Sequence, residues 1–254
     1  MDFNLDKPDM PPIRPSLLVS VKDVHEAKLV GTSSVDYLDV KDPSRGSLGK
    51  PEPEVLRNIL ELPLPNKRLS VALGEARHLD FSIKEYFKLC DPNQKLHYAK
   101  FGLAETARWN WRSKIGDLIA EFPIYITPVL CAYADFADAE APKPLDLISL
   151  AAEQQINYVL FDTYNKVGKN TFDFIESSDF QSCYDIAKKF KIKLAIAGSI
   201  KIELLTQAML FKPDVIAVRG AACDSQSRCN SITTTSLQRF IDAFQAACYS
   251  CDAS

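Results

Sequence analysis

Eight short apolar runs, each followed by a helical pattern, constrain this chain more than any single motif does. The runs are SLLVSV (16–21), YLDVKD (37–42), LSVALG (69–74), HYAKFG (97–102), IYITPVLCAY (124–133), YVLFDT (158–163), KLAIAG (193–198) and VIAVRG (215–220). Several are almost continuously apolar, as strands covered on both faces must be. Between and after them lie DVHEAKLV, PEPEVLRNILEL, SIKEYFKLC, ARWNWRSKIGDLIAEF, PLDLISLAAEQQ, DFQSCYDIAKKF, KIELLTQAMLF and TTSLQRFIDAFQAAC. These have helical spacing. The first opens with Asp, the second with Pro and acids, the third with a Ser followed three residues later by Glu. Eight strand–helix pairs predict an α/β chain, a single-domain (β/α)8 TIM barrel. A doubly wound open sheet is the alternative, but no Gly-x-Gly-x-x-Gly follows the first run. The barrel is expected over residues 15–248, after a polar, proline-rich leader (1–14) and before a short tail (249–254).

Charge excludes several partners. The net charge is −3 and the pI about 5.7, so the chain has no overall attraction for nucleic acid or an anionic membrane. The leader lacks the apolar stretch of a signal peptide, and no run approaches the roughly 20 apolar residues that span a bilayer. The expectation is a cytoplasmic protein with a small-molecule partner, no nucleic acid and no membrane; assembly into a homo-oligomer stays open. Seven cysteines cannot all pair internally. Cys90, Cys131 and Cys183 read as small core residues. Cys223 follows the last strand, whereas Cys248 and Cys251 lie roughly 20 Å down the last helix at about 1.5 Å per residue. A shared zinc is not expected, and His25, His78 and His97 have no ligand spacing. No metal or other cofactor is expected.

The glycines mark one rim. Gly74, Gly102, Gly198 and Gly220 sit at the C-terminal ends of runs, and Gly46, Gly49 and Gly168 in the loops beyond; only Gly31 and Gly116 lie elsewhere. That rim is where barrel enzymes keep their sites. Charged residues end the same runs: Asp39 and Lys41 on the second, Lys100 on the fourth, Asp162 on the sixth, with Lys166 four residues later. All three strands are even-numbered, and alternate barrel strands feed one interior layer. These five are the candidate catalytic residues. The last two strands bring Gly198 and Ser199 to a helix start, and Arg219, Gly220 and Ala221 to the adjoining rim. Glycine-bearing loops after strands 7 and 8 form the usual barrel phosphate site. Amides at a helix start would favour the anion, and Arg219 would add a bidentate contact; its other reading is a structural clamp.

Lysines and carboxylates around a phosphate cradle suit imine chemistry. A lysine amine attacks a carbonyl, the iminium acidifies the adjacent C–H, and a carboxylate or second lysine moves that proton. Lysine neighbours favour the neutral amine and carboxylate neighbours oppose it.

LLVSVKDVHEAK, DYLDVKDPSRGSLG, YAKFGL, CAYAD, PLDL, LFDTYNKVGKNTFDF, LAIAGSIK and VRGAAC are spread over residues 16–245. In these segments the chain resembles the (5-formylfuran-3-yl)methyl phosphate synthases, also called 4-(hydroxymethyl)-2-furancarboxaldehyde-phosphate synthases. The resemblance implies a barrel lyase that joins two molecules of glyceraldehyde 3-phosphate, a triose phosphate, into a furan aldehyde phosphate. Phosphate and water are lost, and the product feeds methanofuran-type carriers. It implies Lys41 as the Schiff-base lysine, Lys100 and Lys166 as the other active-site lysines, and Asp39 and Asp162 as the acids. One departure concerns the loop after RGAAC. It is usually glycine-rich and basic in the family, but here it reads DSQSRCN, with Arg228 as its one cation. Two other readings of the residues remain: an imine-free decarboxylase built on the Asp–Lys array, and a non-catalytic phosphosugar-binding barrel.

Overall fold

A computed structural model describes residues 14–79, 83–165 and 168–252. The leader before Arg14 and the Ser82 cap thus lie outside the described residues. Among those described, eight parallel strands close into a barrel in chain order: β1 (Ser16–Val21), β2 (Tyr37–Val40), β3 (Arg68–Glu75), β4 (Tyr98–Gly102), β5 (Thr127–Tyr133), β6 (Tyr158–Asp162), β7 (Lys193–Ile196) and β8 (Val215–Val218). Ser16 of β1 pairs with Val215 of β8, which seals the seam. Helices follow each strand: α1 (Val24–Gly31), α2 (Pro53–Leu60), α3 (Ile83–Cys90), α4 (Trp111–Ala120), α5 (Pro144–Glu153), α6 (Ser177–Phe190), α7 (Leu205–Leu210) and α8 (Thr234–Asp252). No helix among the described residues is long and apolar enough to cross a membrane.

Side-chain alternation along each strand splits the core in two. Outward positions such as Val19, Leu38, Val71, Phe101, Leu130, Phe161 and Ile216 pack under the helices. Inward positions such as Leu18, Ala72, Val129, Leu160 and Ala217 fill the barrel. The first residues of β2, β4 and β6 are all tyrosines. Tyr37 and Tyr98 lie with ring centroids 5.7 Å apart, and Tyr98 and Tyr158 at 4.9 Å. Arg68 Nη1 donates to the hydroxyls of Tyr98 (3.1 Å) and Tyr37 (3.3 Å). Together they plug the N-terminal end.

Local sequence chemistry sets the helix ends. Asp23 caps α1 by accepting the Glu26 N–H at 2.9 Å, and the Glu26 carboxylate accepts the N–H of Lys22, one residue before the cap. Pro begins α2 and α5, where its missing N–H costs nothing. Lys191 ends α6 in the left-handed region at φ 58°. Among the boundaries that differ from the sequence expectation, three belong to α4, α7 and α8. α4 starts at Trp111 rather than 107, and Trp109 stands outside it, partly exposed, with the Lys114 ammonium 4.5 Å from its ring. KIELLTQAMLF divides into a 3-10 turn (Ile202–Leu204) and the short α7. α8 runs past 248 to Asp252. Cys90 and Cys183 are core residues, their thiols pushed up by burial to about 11 and about 12; they pack as small apolar groups.

Candidate active site

The floor of the site is one buried pair. Asp39 on β2 and Lys100 on β4 both point into the barrel, and Lys100 Nζ donates to Asp39 Oδ2 at 2.6 Å. Ser20 on β1 donates to the same oxygen at 2.7 Å. Asp39 is fully buried, and its Oδ1 has no hydrogen-bond partner among the described residues. Burial pushes its carboxyl up; the charges of Lys100 and Lys41 and the bonds from Lys100 and Ser20 together outweigh that and hold it below the usual range. Asp39 is therefore an anion at neutral pH.

Above this pair the loops converge. Lys41 leaves the end of β2 into a loop whose Ser47 hydroxyl reaches Asp162 Oδ2 at 3.1 Å and Thr163 O at 2.9 Å. Asp162 Oδ1 accepts the Thr163 N–H at 2.8 Å. Ser20, Lys41, Lys100 and Asp162 line one cavity of about 740 Å³ with Gly198, Ser199, Gly220 and Ala221. Of the five candidate catalytic residues, three line that cavity and Asp39 lies beneath it; Lys166 falls outside the described residues. The backbone just before it is held, because the N–H groups of Tyr164 and Asn165 donate to the two carboxylate oxygens of buried Asp135 at 2.7 and 2.8 Å.

Where a phosphate site is expected, the groups left unused are backbone ones. Gly198 takes φ +89°, and a Cβ there would sit 2.0 Å from Thr171 Oγ1, so only glycine fits. Thr171 draws the neighbouring carbonyls outward: its hydroxyl donates to Ala197 O at 2.6 Å and its N–H to Gly198 O at 3.1 Å. The N–H groups of Gly198, Ser199, Gly220 and Ala221 make no hydrogen bond among the described residues. Converging, unused amides favour an anion. The expected helix start at Ser199 is absent, since α7 begins at Leu205; the cradle is a turn, with Ser199 also left-handed at φ 58°.

Arg219 corrects the sequence expectation. Its Nη1 donates to Glu26 Oε2 (2.8 Å) and Ser20 O (2.9 Å), and its Nη2 to Glu26 Oε1 and Asn230 O (both 3.3 Å). Nε donates to Arg228 O (2.7 Å). A guanidinium has five N–H groups, and all five are committed. The side chain is a clamp between β8, its following loop and α1, and only its backbone is left for a phosphate. The sequence reading also missed Ser20, Glu26, Ser47 and Asp135. Ser20 had a signal, since it alternates with inward Leu18 on β1. Glu26 was hidden in an ordinary helix cap, and the reach of Ser47 to β6 depends on a fold across 115 residues. Among the described residues, no group of three or more His, Cys, Asp or Glu could hold a metal ion.

The sequence model of a family described as 4-HFC-P synthase matches residues 17–241. A (5-formylfuran-3-yl)methyl phosphate synthase from Methanosarcina acetivorans is 30% identical over 240 residues, which cover 91% of this chain and 98% of that protein. One from Methanocaldococcus jannaschii is 30% identical over 225 residues, covering 84% and 92%. Solved structures share the barrel at lower identity. 3-Hexulose-6-phosphate synthase from Salmonella typhimurium superposes with a TM-score of 0.56 at 14% identity, covering 90% of this chain and 99% of that one. Phosphoribosyl anthranilate isomerase from Thermus thermophilus gives 0.55 at 11% identity, covering 91% and 98%. At such identities the likeness speaks for the fold alone.

Proposed function

The chain belongs to the 4-HFC-P synthase family, and from that premise we propose that it condenses two molecules of glyceraldehyde 3-phosphate into (5-formylfuran-3-yl)methyl phosphate for a methanofuran-type carrier, through an imine on Lys41. One observation carries this reading: Lys41, a buried Asp39–Lys100 pair and an amide cradle meet in one cavity of about 740 Å³, which is roomy for two three-carbon phosphates. Lys41 Nζ adds to the carbonyl of one triose and water leaves, giving the imine. Loss of the α-proton gives an enamine, whose carbon attacks the aldehyde of the second triose and forms the C–C bond. Elimination of one phosphate, ring closure and dehydration follow, and water returns the lysine. The sum is one phosphate and two waters lost from two trioses, with no oxidant. Asp39, held as the anion, orients the lysines or accepts a proton. Lys100, Asp162 at the cavity wall and Lys166, four residues further along the sequence, move the remaining protons.

Purified protein given glyceraldehyde 3-phosphate alone should develop furan absorbance and release one phosphate per furan. Borohydride with the same substrate should fix a triose adduct on Lys41, located by peptide mass mapping. Lys41→Met should lose turnover by on the order of 10⁴-fold or more and should trap nothing. Turnover that is insensitive to borohydride, with no adduct on Lys41, would sink the imine and favour an Asp–Lys mechanism without one.

A further inference from the structure

Arg219 is spent on its clamp, yet the same loop carries a second guanidinium. Arg228 lines the wall of the central cavity. Its backbone lies against the end of β8: a Cβ on Gly220 would stand 3.6 Å from Arg228 N and 3.9 Å from its Cα. From there the side chain crosses to the loop after Lys41, where Nη2 donates to Pro43 O (3.1 Å) and Gly46 O (2.6 Å). Among the described residues it pairs with no carboxylate, unlike Arg14, Arg45, Arg77, Arg112 and Arg219. Its Nε and Nη1 make no hydrogen bond there. It is thus a guanidinium anchored by one nitrogen and unused at the others, lining the same cavity as the unused amides of Gly220 and Ala221. Its backbone is set by the clamp, because Arg219 donates to Arg228 O and Asn230 O, while buried Glu26 holds Arg219 and accepts the Ile232 N–H at 3.2 Å.

We propose that Arg228 is the guanidinium that binds a phosphate monoester in this cavity, and that Glu26 and Arg219 are its positioning residues. The inference rests on the phosphosugar reading of the site and adds the side chain that meets the phosphate. An anion held there would also brace the loop after Lys41, since Arg228 already joins that loop to the one after β8.

The test is titration of inorganic phosphate into the wild type and variants by calorimetry. Arg228→Met should weaken phosphate binding by about 10–100-fold, the span of a charge-assisted hydrogen bond. Arg228→Lys, which keeps the charge but loses the fork, should recover part of it. Glu26→Gln should weaken it by ~3–10-fold, and the double variant should bind no more weakly than Arg228→Met alone, as positioning through Arg228 requires. Each variant must keep one cooperative thermal transition; should Glu26→Gln fail to fold, the two Arg228 variants decide. Wild-type affinity in Arg228→Met, absence of phosphate binding in the wild type, or losses that simply add would each overturn the proposal. None of these readouts needs turnover, so their failure is distinct from failure of the furan chemistry.

Discussion

β2, β4 and β6 carry two opposite chemistries on the same inward face. At their N-terminal ends they place Tyr37, Tyr98 and Tyr158, which pack tilted and edge-to-face and share hydroxyl contacts with Arg68. Two or more residues further on they place Asp39, Lys100 and Asp162. The bottom is polar only at the tips of large rings, so it buries apolar area and satisfies its few hydroxyls at once. The top buries a charge pair and leaves Asp39 Oδ1 without a partner among the described residues. Such an arrangement costs stability relative to apolar packing. The difference teaches that one set of strands can be spent on closure at one end and on reactivity at the other, because the alternation of side chains keeps both on the same axis.

The strongest way to break the comparison is at the top. Asp39→Asn leaves Lys100 buried without its counter-ion and should destabilise the fold by about 3–5 kcal/mol, while lowering kcat by about 10²–10⁴-fold. The pH dependence should change too. A carboxyl held below its usual range in the folded state adds stability that is complete above the unfolded pKa of about 4 and lost as pH falls through the folded value. Urea titrations between pH 3 and 7 should show that loss in the wild type and less of it in the variant. A variant as stable and active as the wild type would remove the asymmetry.

At the bottom, Tyr98→Phe removes one hydroxyl that meets Arg68 and, at 3.2 Å, Tyr158. It should cost about 1 kcal/mol, a drop of ~2–4 °C in Tm, with kcat/KM unchanged. A fall in kcat/KM beyond about threefold would mean that the two ends are coupled.

Glu75 at the end of β3 lies between these cases and should give the smallest effect. Burial raises its carboxyl above the usual range, against the bonds it accepts from the Tyr133 hydroxyl (2.5 Å) and the Ala104 N–H (2.8 Å) and the charge of Arg77. A raised group favours folding below its unfolded pKa and loses that contribution as pH rises through the folded value. Glu75→Gln does not titrate; its Oε1 can accept the Ala104 N–H while its Nε2 donates to the Tyr133 oxygen, reversing that bond, so its stability should change less between pH 4 and 7. The gain at pH 7 should be under about 1 kcal/mol. An unchanged pH profile would show that Glu75 is not strained by burial.

The barrel was legible because its signal is repetitive: eight apolar runs at near-regular spacing leave few other ways to bury them. The meeting of Asp39 and Lys100 was legible for the same reason, since strand parity fixes which side chains share the interior. What parity does not carry is contact between loops. Whether Arg219 faces a phosphate or Glu26 depends on a partner 193 residues away, and both readings fit the string VRGAAC. Gly198 and Gly220 reach the cavity wall, but the expected helix start beside Gly198 is absent. Left-handed turns and Thr171 shape the backbone at Gly198 and Ser199, and the helix begins too late to contribute.

The clamp also has a history written into its length. Glu26 belongs to the first helix of the barrel to leave the ribosome, and its guanidinium partner follows the last strand. While the chain is being made, that carboxylate has to stay in water, because burying it before Arg219 exists would strand a charge. Closure of the seam between the first and last strands is thereby tied to completion of synthesis. A chain truncated before residue 215 would lack both the final strand and the buried cation that lets α1 seat fully, and would be left as an open sheet whose edges invite pairing with its neighbours.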